Sequence, residues 1–183
     1  MGLDPPHDGA TPLTAGGGAP GLRAVGFDPG LAETGFAALA GGRGGPVVLG
    51  TGVIRTHPAD PLDVRLEQLF EGTHEVLTAF TPDVVVIEDV FSAPAVPRTA
   101  ILMGHARAVI CLAGRQRKLA LLSVTPAEVK RAVTASGAAP KAQVARAMQA
   151  LLGLPAPPRP SHVADALALA FTGLSRARGL GRR

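Results

Sequence analysis

The run VVVI at residues 84–87 limits the fold of this chain more than any other feature. Four β-branched residues in succession offer no polar face, so the segment reads as a strand covered on both sides, as in a sheet with helices on each face. It ends in a carboxylate, Glu88. Crevices at the C-terminal ends of such strands are where open α/β sheets bind their ligands.

An earlier strand ends the same way. RAVGFD, residues 23–28, puts Ala24, Gly26 and Asp28 on one face and Arg23, Val25 and Phe27 on the other, and Pro29-Gly30 stops it. Strands at 34–39 and 47–54 follow across Gly-rich turns, so the chain opens as an antiparallel meander. Residues 62–80 carry Leu62, Leu66, Leu69, Phe70 and Leu77 at helical spacing, which predicts an amphipathic helix laid on the sheet. Beyond Glu88, residues 98–112 read as a helix apolar on most sides and LALLSV, 119–124, as a short buried strand. Pro126 opens a helix, residues 141–152 form another, and a last helix covers 162–175. This order predicts an α/β protein of ribonuclease H-like fold, a five-stranded mixed sheet flanked by helices.

With 183 residues, 46% hydrophobic and 17% charged, the chain has the balance of one globular domain, expected at 22–175. A disordered N-terminal tail, 1–21, and a basic, mobile C-terminal tail, 176–183, are expected to flank it. Cys111 is the only cysteine, so no intrachain disulfide framework exists, and no stretch has the length of a membrane span or the pattern of a signal peptide. The expectation is a soluble, cytoplasmic protein with no membrane partner. A net charge of +4 suits a polyanionic partner without naming one.

Asp28 and Glu88 close two strands, and Asp165 falls in the first turns of the last helix. If the first and fourth strands are neighbours, the three carboxylates meet at one sheet edge. Like charges that close raise each other's pKa, so the cluster asks for a cation. Oxygen ligands suit Mg²⁺ or Mn²⁺, and a pair of ions about 3.5–4 Å apart can stabilise both the attacking and the leaving oxygen of a phosphodiester displacement. Taken singly, each carboxylate has an ordinary role as well: Asp28 can begin a turn, Glu88 can end a strand at the surface, and Asp165 can complement a helix N-terminus. Their convergence separates the two readings. Asp89 faces away from Glu88 and falls outside the cluster.

VGFDPGLAETGFA, VVVIEDVF, MGHARAV and HVADALALAF, in this order and spacing, resemble the signature segments of the RuvC Holliday-junction resolvases, crossover junction endodeoxyribonucleases. DPG alone is unspecific; the four segments together cover most of the chain. The resemblance implies a metal-dependent endonuclease that resolves four-way DNA junctions by paired symmetric nicks in recombination and repair. It implies two Mg²⁺ or Mn²⁺ ions per site, held by Asp28, Glu88, Asp165 and His162. His162 stands where many members carry a fourth carboxylate, and three residues before Asp165 it shares a helix face with it. As a departure from the four-carboxylate pattern, it leaves open whether it is a ligand or a helix-start residue.

The same resemblance makes Lys130 and Lys141, two of only three lysines in the chain, basic residues that support catalysis and approach the DNA. It makes Phe91 the aromatic near the junction centre, stacked on an unpaired base, although a core position is the alternative for a Phe. Arg98, Arg107, Arg115, Arg117, Lys118 and Arg131 are the candidate phosphate contacts. A homodimer formed through the 98–112 helix would present two sites to a two-fold junction, and the RuvA and RuvB branch-migration proteins are implied as partners. Three rivals stand beside this reading. A sugar-kinase or actin-type ATP-binding protein also opens with Asp-x-Gly, but it wants a second similar domain. A junction-binding module with a decayed site and a nuclease of the same fold with another substrate are separated from it by cleavage assays on junction, duplex and hybrid.

Overall fold

The computed structural model describes residues 21–42, 44–89 and 97–180. The elements are β1 (Arg23–Asp28), β2 (Glu33–Gly42), β3 (Gly45–Arg55), α1 (Leu62–Phe80), β4 (Val84–Glu88), α2 (Pro97–Gln116), β5 (Ala120–Val124), α3 (Pro126–Thr134), α4 (Lys141–Leu152) and α5 (Ser161–Leu180). One five-stranded sheet has the order β3-β2-β1-β4-β5. The meander β1–β3 is antiparallel, and β4 runs parallel to β1 and to β5. That is the expected ribonuclease H-like sheet.

The alternation read from RAVGFD decides which core each residue enters. Ala24 and Val86 pack with Ala166, Leu167 and Leu169 of α5 on one face of the sheet. Val25, Phe27, Val85 and Ile87 pack on the other face with Leu69 and Leu77 of α1 and Ile110 of α2. The VVVI run is therefore covered on both sides, as its lack of a polar face requires.

Two glycines set how closely α5 approaches. A Cβ on Gly26 would lie 2.3 Å from the Ala166 carbonyl oxygen, and one on Gly35 would lie 2.4 Å from that of His162. The helix backbone thus rests directly on β1 and β2, which carries the first turns of α5 to the C-terminal end of β1.

Some expectations need correction. β5 is an edge strand with only Val124 buried, not a covered one, because no further strand pairs with its outer side in the sheet. The last helix continues past Ser175 to Leu180, and Arg176, expected to begin a mobile tail, pairs with Glu128 of α3 at 2.7 Å. A tail boundary at 176 therefore cuts through an ordered helix. Phe91 and the N-terminal segment 1–20 lie outside the described residues. No helix among the described residues is long and apolar enough to cross a membrane.

Candidate active site

β1 and β4 are paired so that Phe27 faces Ile87, and the next residues, Asp28 and Glu88, end side by side. Both extend the alternation of Gly26 and Val86, so both belong to the sheet face that α5 covers. α5 supplies His162 and Asp165 from its first turn and a half. α3 supplies Lys130, and α4 begins with Lys141. Asp28, Glu88, Lys130, Lys141, His162 and Asp165 line one cavity of about 500 Å³. The six residues singled out as catalytic in the sequence are thus brought together by five different elements.

Within the cavity the charges are arranged in pairs. His162 Nδ1 lies 2.8 Å from Asp28 Oδ2, and Lys141 Nζ donates to Asp165 Oδ2 at 2.9 Å. The other imidazole nitrogen, Nε2, is 3.9 Å from Glu33 Oε2. Burial raises the Asp28 carboxyl above its ordinary range, against the lowering effect of the His162 hydrogen bond. Glu88 is pushed up to about 7, first by burial and then by the charges of Asp28 and Asp165. The Lys141 ammonium is raised, chiefly by its hydrogen bond to Asp165.

These shifts describe a donor set short of positive charge. Three carboxylates and an imidazole around a half-enclosed cavity fit a hard divalent cation, whose charge would offset the burial and the repulsion that raise Glu88. Among the described residues, however, no three His, Cys, Asp or Glu side chains already converge on one point. One oxygen of Asp28 is engaged by His162 and one of Asp165 by Lys141. Among the described residues the second oxygen of each carboxylate has no hydrogen-bond partner, so a cation can be held with both contacts in place.

Residues 24–173 match the family model for Crossover junction endodeoxyribonuclease RuvC. The chain belongs to the RuvC family. The crossover junction endodeoxyribonuclease of Parafrankia sp. is 44% identical over 162 residues, 88% of this chain and 90% of the relative. That of Rhodopirellula baltica is 39% identical over 142 residues, 76% of this chain and 79% of the relative. The solved Thermus thermophilus RuvC in complex with Holliday junction substrate superposes with a TM-score of 0.80 at 32% identity, covering 86% of this chain and 96% of that one. RuvC nucleases are metal-dependent, in keeping with the donor set described above.

The candidate DNA contacts separate by position. Arg98 is exposed at the start of α2, whose Thr99 and Met103 line the cavity, and Arg131 is exposed on α3 next to Lys130. Arg115 lies sixteen residues beyond Thr99, about 24 Å along the helix at 1.5 Å per residue. Neither it, Arg117 nor Lys118 lines the cavity. Arg117 donates to Thr78 Oγ1, and Lys118 is exposed with a φ of 58°.

Arg107, one of the expected phosphate contacts, is already engaged by the protein's own side chains. Its Nη2 lies 3.2 Å from Asp89 Oδ1 and donates to Ser123 Oγ at 2.7 Å, leaving the side chain 28% exposed. It ties the ends of β4 and β5 together. Sequence reasoning overlooked Glu33, which sits inside the quoted ETG stretch but comes within reach of His162 only through the β1–β2 pairing. It also overlooked the spacing role of Gly26 and Gly35, for which the signal was a Gly amid each β pattern.

Proposed function

We propose that this chain is a metal-dependent, structure-selective endonuclease that resolves four-way DNA junctions by paired symmetric nicks in homologous recombination and repair. The observation that carries the reading is the single cavity at the ends of β1 and β4, lined by all six expected residues in a chain of the RuvC family.

Asp28, Glu88, Asp165 and His162 are the residues that would hold the metal, Mg²⁺ or Mn²⁺ and two ions per site. Bound there, the ions supply an activated water and stabilise the leaving oxygen. The chain's own residues prepare that site. The contact between Asp28 and His162 Nδ1 fixes the imidazole ring relative to β1, in the manner of carboxylate–histidine pairs that orient ligands. Lys141 Nζ holds Asp165 Oδ2 in place, and its charge, with that of Lys130, faces the place a scissile phosphate would enter.

A homodimer supplies the second nick. On α2, Ile101, Gly104, Ala108 and Leu112 fall on one face, and all four are exposed, Ile101 by 60% and Leu112 by 53%. An apolar stripe with small residues at its centre suits close packing against a second copy across a two-fold axis. Phe91, three residues beyond Glu88, is proposed to stack on an unpaired base at the junction centre. The RuvA and RuvB proteins are proposed as partners on the family alone. A DNA substrate fits action in the cytoplasm.

The experiment is cleavage of a labelled synthetic four-way junction beside linear duplex and RNA–DNA hybrid, with Mg²⁺ or Mn²⁺. Asp28→Asn, Glu88→Gln and Asp165→Asn should each abolish nicking while gel-shift binding of the junction stays near that of the parent. A variant that cuts at the parental rate removes that residue from the site, and a parent that binds junctions without cutting them marks a decayed module.

A further inference from the structure

The catalytic cavity shares a wall with a second hollow. This groove, of about 530 Å³, lies between the start of α4 and the 153–160 loop into α5, and Lys141 and Asp165 line both spaces. Its walls are small and apolar: Ala142 and Ala145 from α4, Pro158 and Pro160 from the loop, and Ala164 from α5. Arg159 lines it too and is exposed. Among the described residues Arg159 has no ion pair or hydrogen bond, whereas Arg55, Arg107 and Arg176 are each held by a carboxylate. None of the nuclease chemistry described above uses Arg159 or the apolar wall.

An unengaged guanidinium beside a slot of alanines and proline rings fits a ligand that is flat and apolar at one end and anionic at the other. A nucleotide has that chemistry: its base offers a flat face and its phosphate an acceptor for the planar fork of Arg. The groove opens beside Lys141 and Asp165, which line the catalytic cavity too, so the two spaces adjoin and one strand can reach both. We propose that this groove seats the nucleotide of the cleaved strand adjacent to the scissile phosphate, with its base against the Ala145–Pro158–Pro160 wall and its outer phosphate on Arg159. The proposal rests on the nuclease reading above and adds a substrate subsite to it. A base that must lie in this slot has to leave its partner, which makes the groove a place where local unpairing, and the identity of the flanking base, are read during cleavage.

The test is single-turnover cleavage of a four-way junction by the full chain at saturating enzyme, with an abasic nucleotide placed in turn at the two positions on each side of the scissile bond. For the parent protein, one of these should lower the rate about tenfold, the equivalent of losing some 60 Å² of apolar contact from the transition state. Ala145→Leu, which fills the groove, should cut the intact junction at that reduced rate and lose nothing more from the abasic substitution. Ala142→Leu, at an exposed position on the same wall, repeats the comparison should Ala145→Leu not fold. Arg159→Ala should slow the intact junction as well. The proposal is overturned if no flanking abasic site slows the parent, or if the losses from the abasic site and the filled groove multiply. A parent that leaves the intact junction uncut refutes the nuclease reading itself, a result separate from either.

Discussion

Gly26→Ala tests how the site is assembled. The added Cβ would lie 2.3 Å from the Ala166 carbonyl oxygen, 2.6 Å from the Ala170 nitrogen and 2.8 Å from Leu169 Cβ, and two of these are backbone atoms that cannot rotate away. Ordinary contact begins at 3.4 Å, so α5 has to back off β1 by about 1 Å. Overpacking of this kind costs about 1–3 kcal/mol, and a chain this size loses about 2–4 °C per kcal/mol, so the melting temperature should fall by roughly 2–12 °C. The same displacement carries His162 and Asp165 away from Asp28 and Glu88, and a misplacement of about 1 Å at a reacting centre costs on the order of a hundredfold in rate. Thermal melting and single-turnover junction cleavage, on the same preparation, read the two effects. Gly44→Ala, where a Cβ meets nothing within 4 Å, is the control and should match the parent in both. If Gly26→Ala melts and cuts as the parent does, close seating of α5 on β1 does not hold the site together.

Lys130→Ala and Lys141→Ala should each lower the saturated single-turnover rate more than junction affinity, since both amines face the catalytic cavity; an equal loss of affinity with an unchanged rate would make them anchors only. His162→Asp should favour Mg²⁺ relative to Mn²⁺, because it exchanges an imidazole for a hard oxygen donor, whereas His162→Ala should cut more slowly with both ions. Full activity of His162→Ala in either metal would leave the carboxylates as the working set. In chelator, stability should fall as pH rises from 4.5 to about 7. Across that window folded Glu88 keeps a proton that the unfolded chain has lost, so the folded state binds more protons and ΔG of unfolding declines. Asp28, also raised, acts in the same direction. Melting curves against pH should show the slope, and Glu88→Gln or added Mg²⁺ should reduce it; an unchanged slope in Glu88→Gln would assign it to other groups.

The sequence by itself determined the strands, the long helices and the carboxylates, because these rest on local patterns. Alternation in RAVGFD gave each residue its face, the VVVI run demanded cover on both sides, and Asp28 and Glu88 were legible as strand-end acids. The helices at 62–80 and 141–152 had their spacing written in leucines and alanines. Tertiary structure alone decided what depends on residues far apart in the chain. The β1–β4 pairing put Asp28 beside Glu88, and the absence of a Cβ at Gly26 and Gly35 let α5 descend far enough to bring His162 to Asp28 across 134 positions of sequence. The exposure of β5 followed from its place at the sheet edge, which its hydrophobicity could not report. Arg107 read as a free cation because its partners, Asp89 and Ser123, are 18 residues before it and 16 after it, and only the sheet brings both to one guanidinium. A side chain's partner is a property of the packed molecule. Its face on a strand or helix is a property of the backbone period, and that much a sequence carries alone.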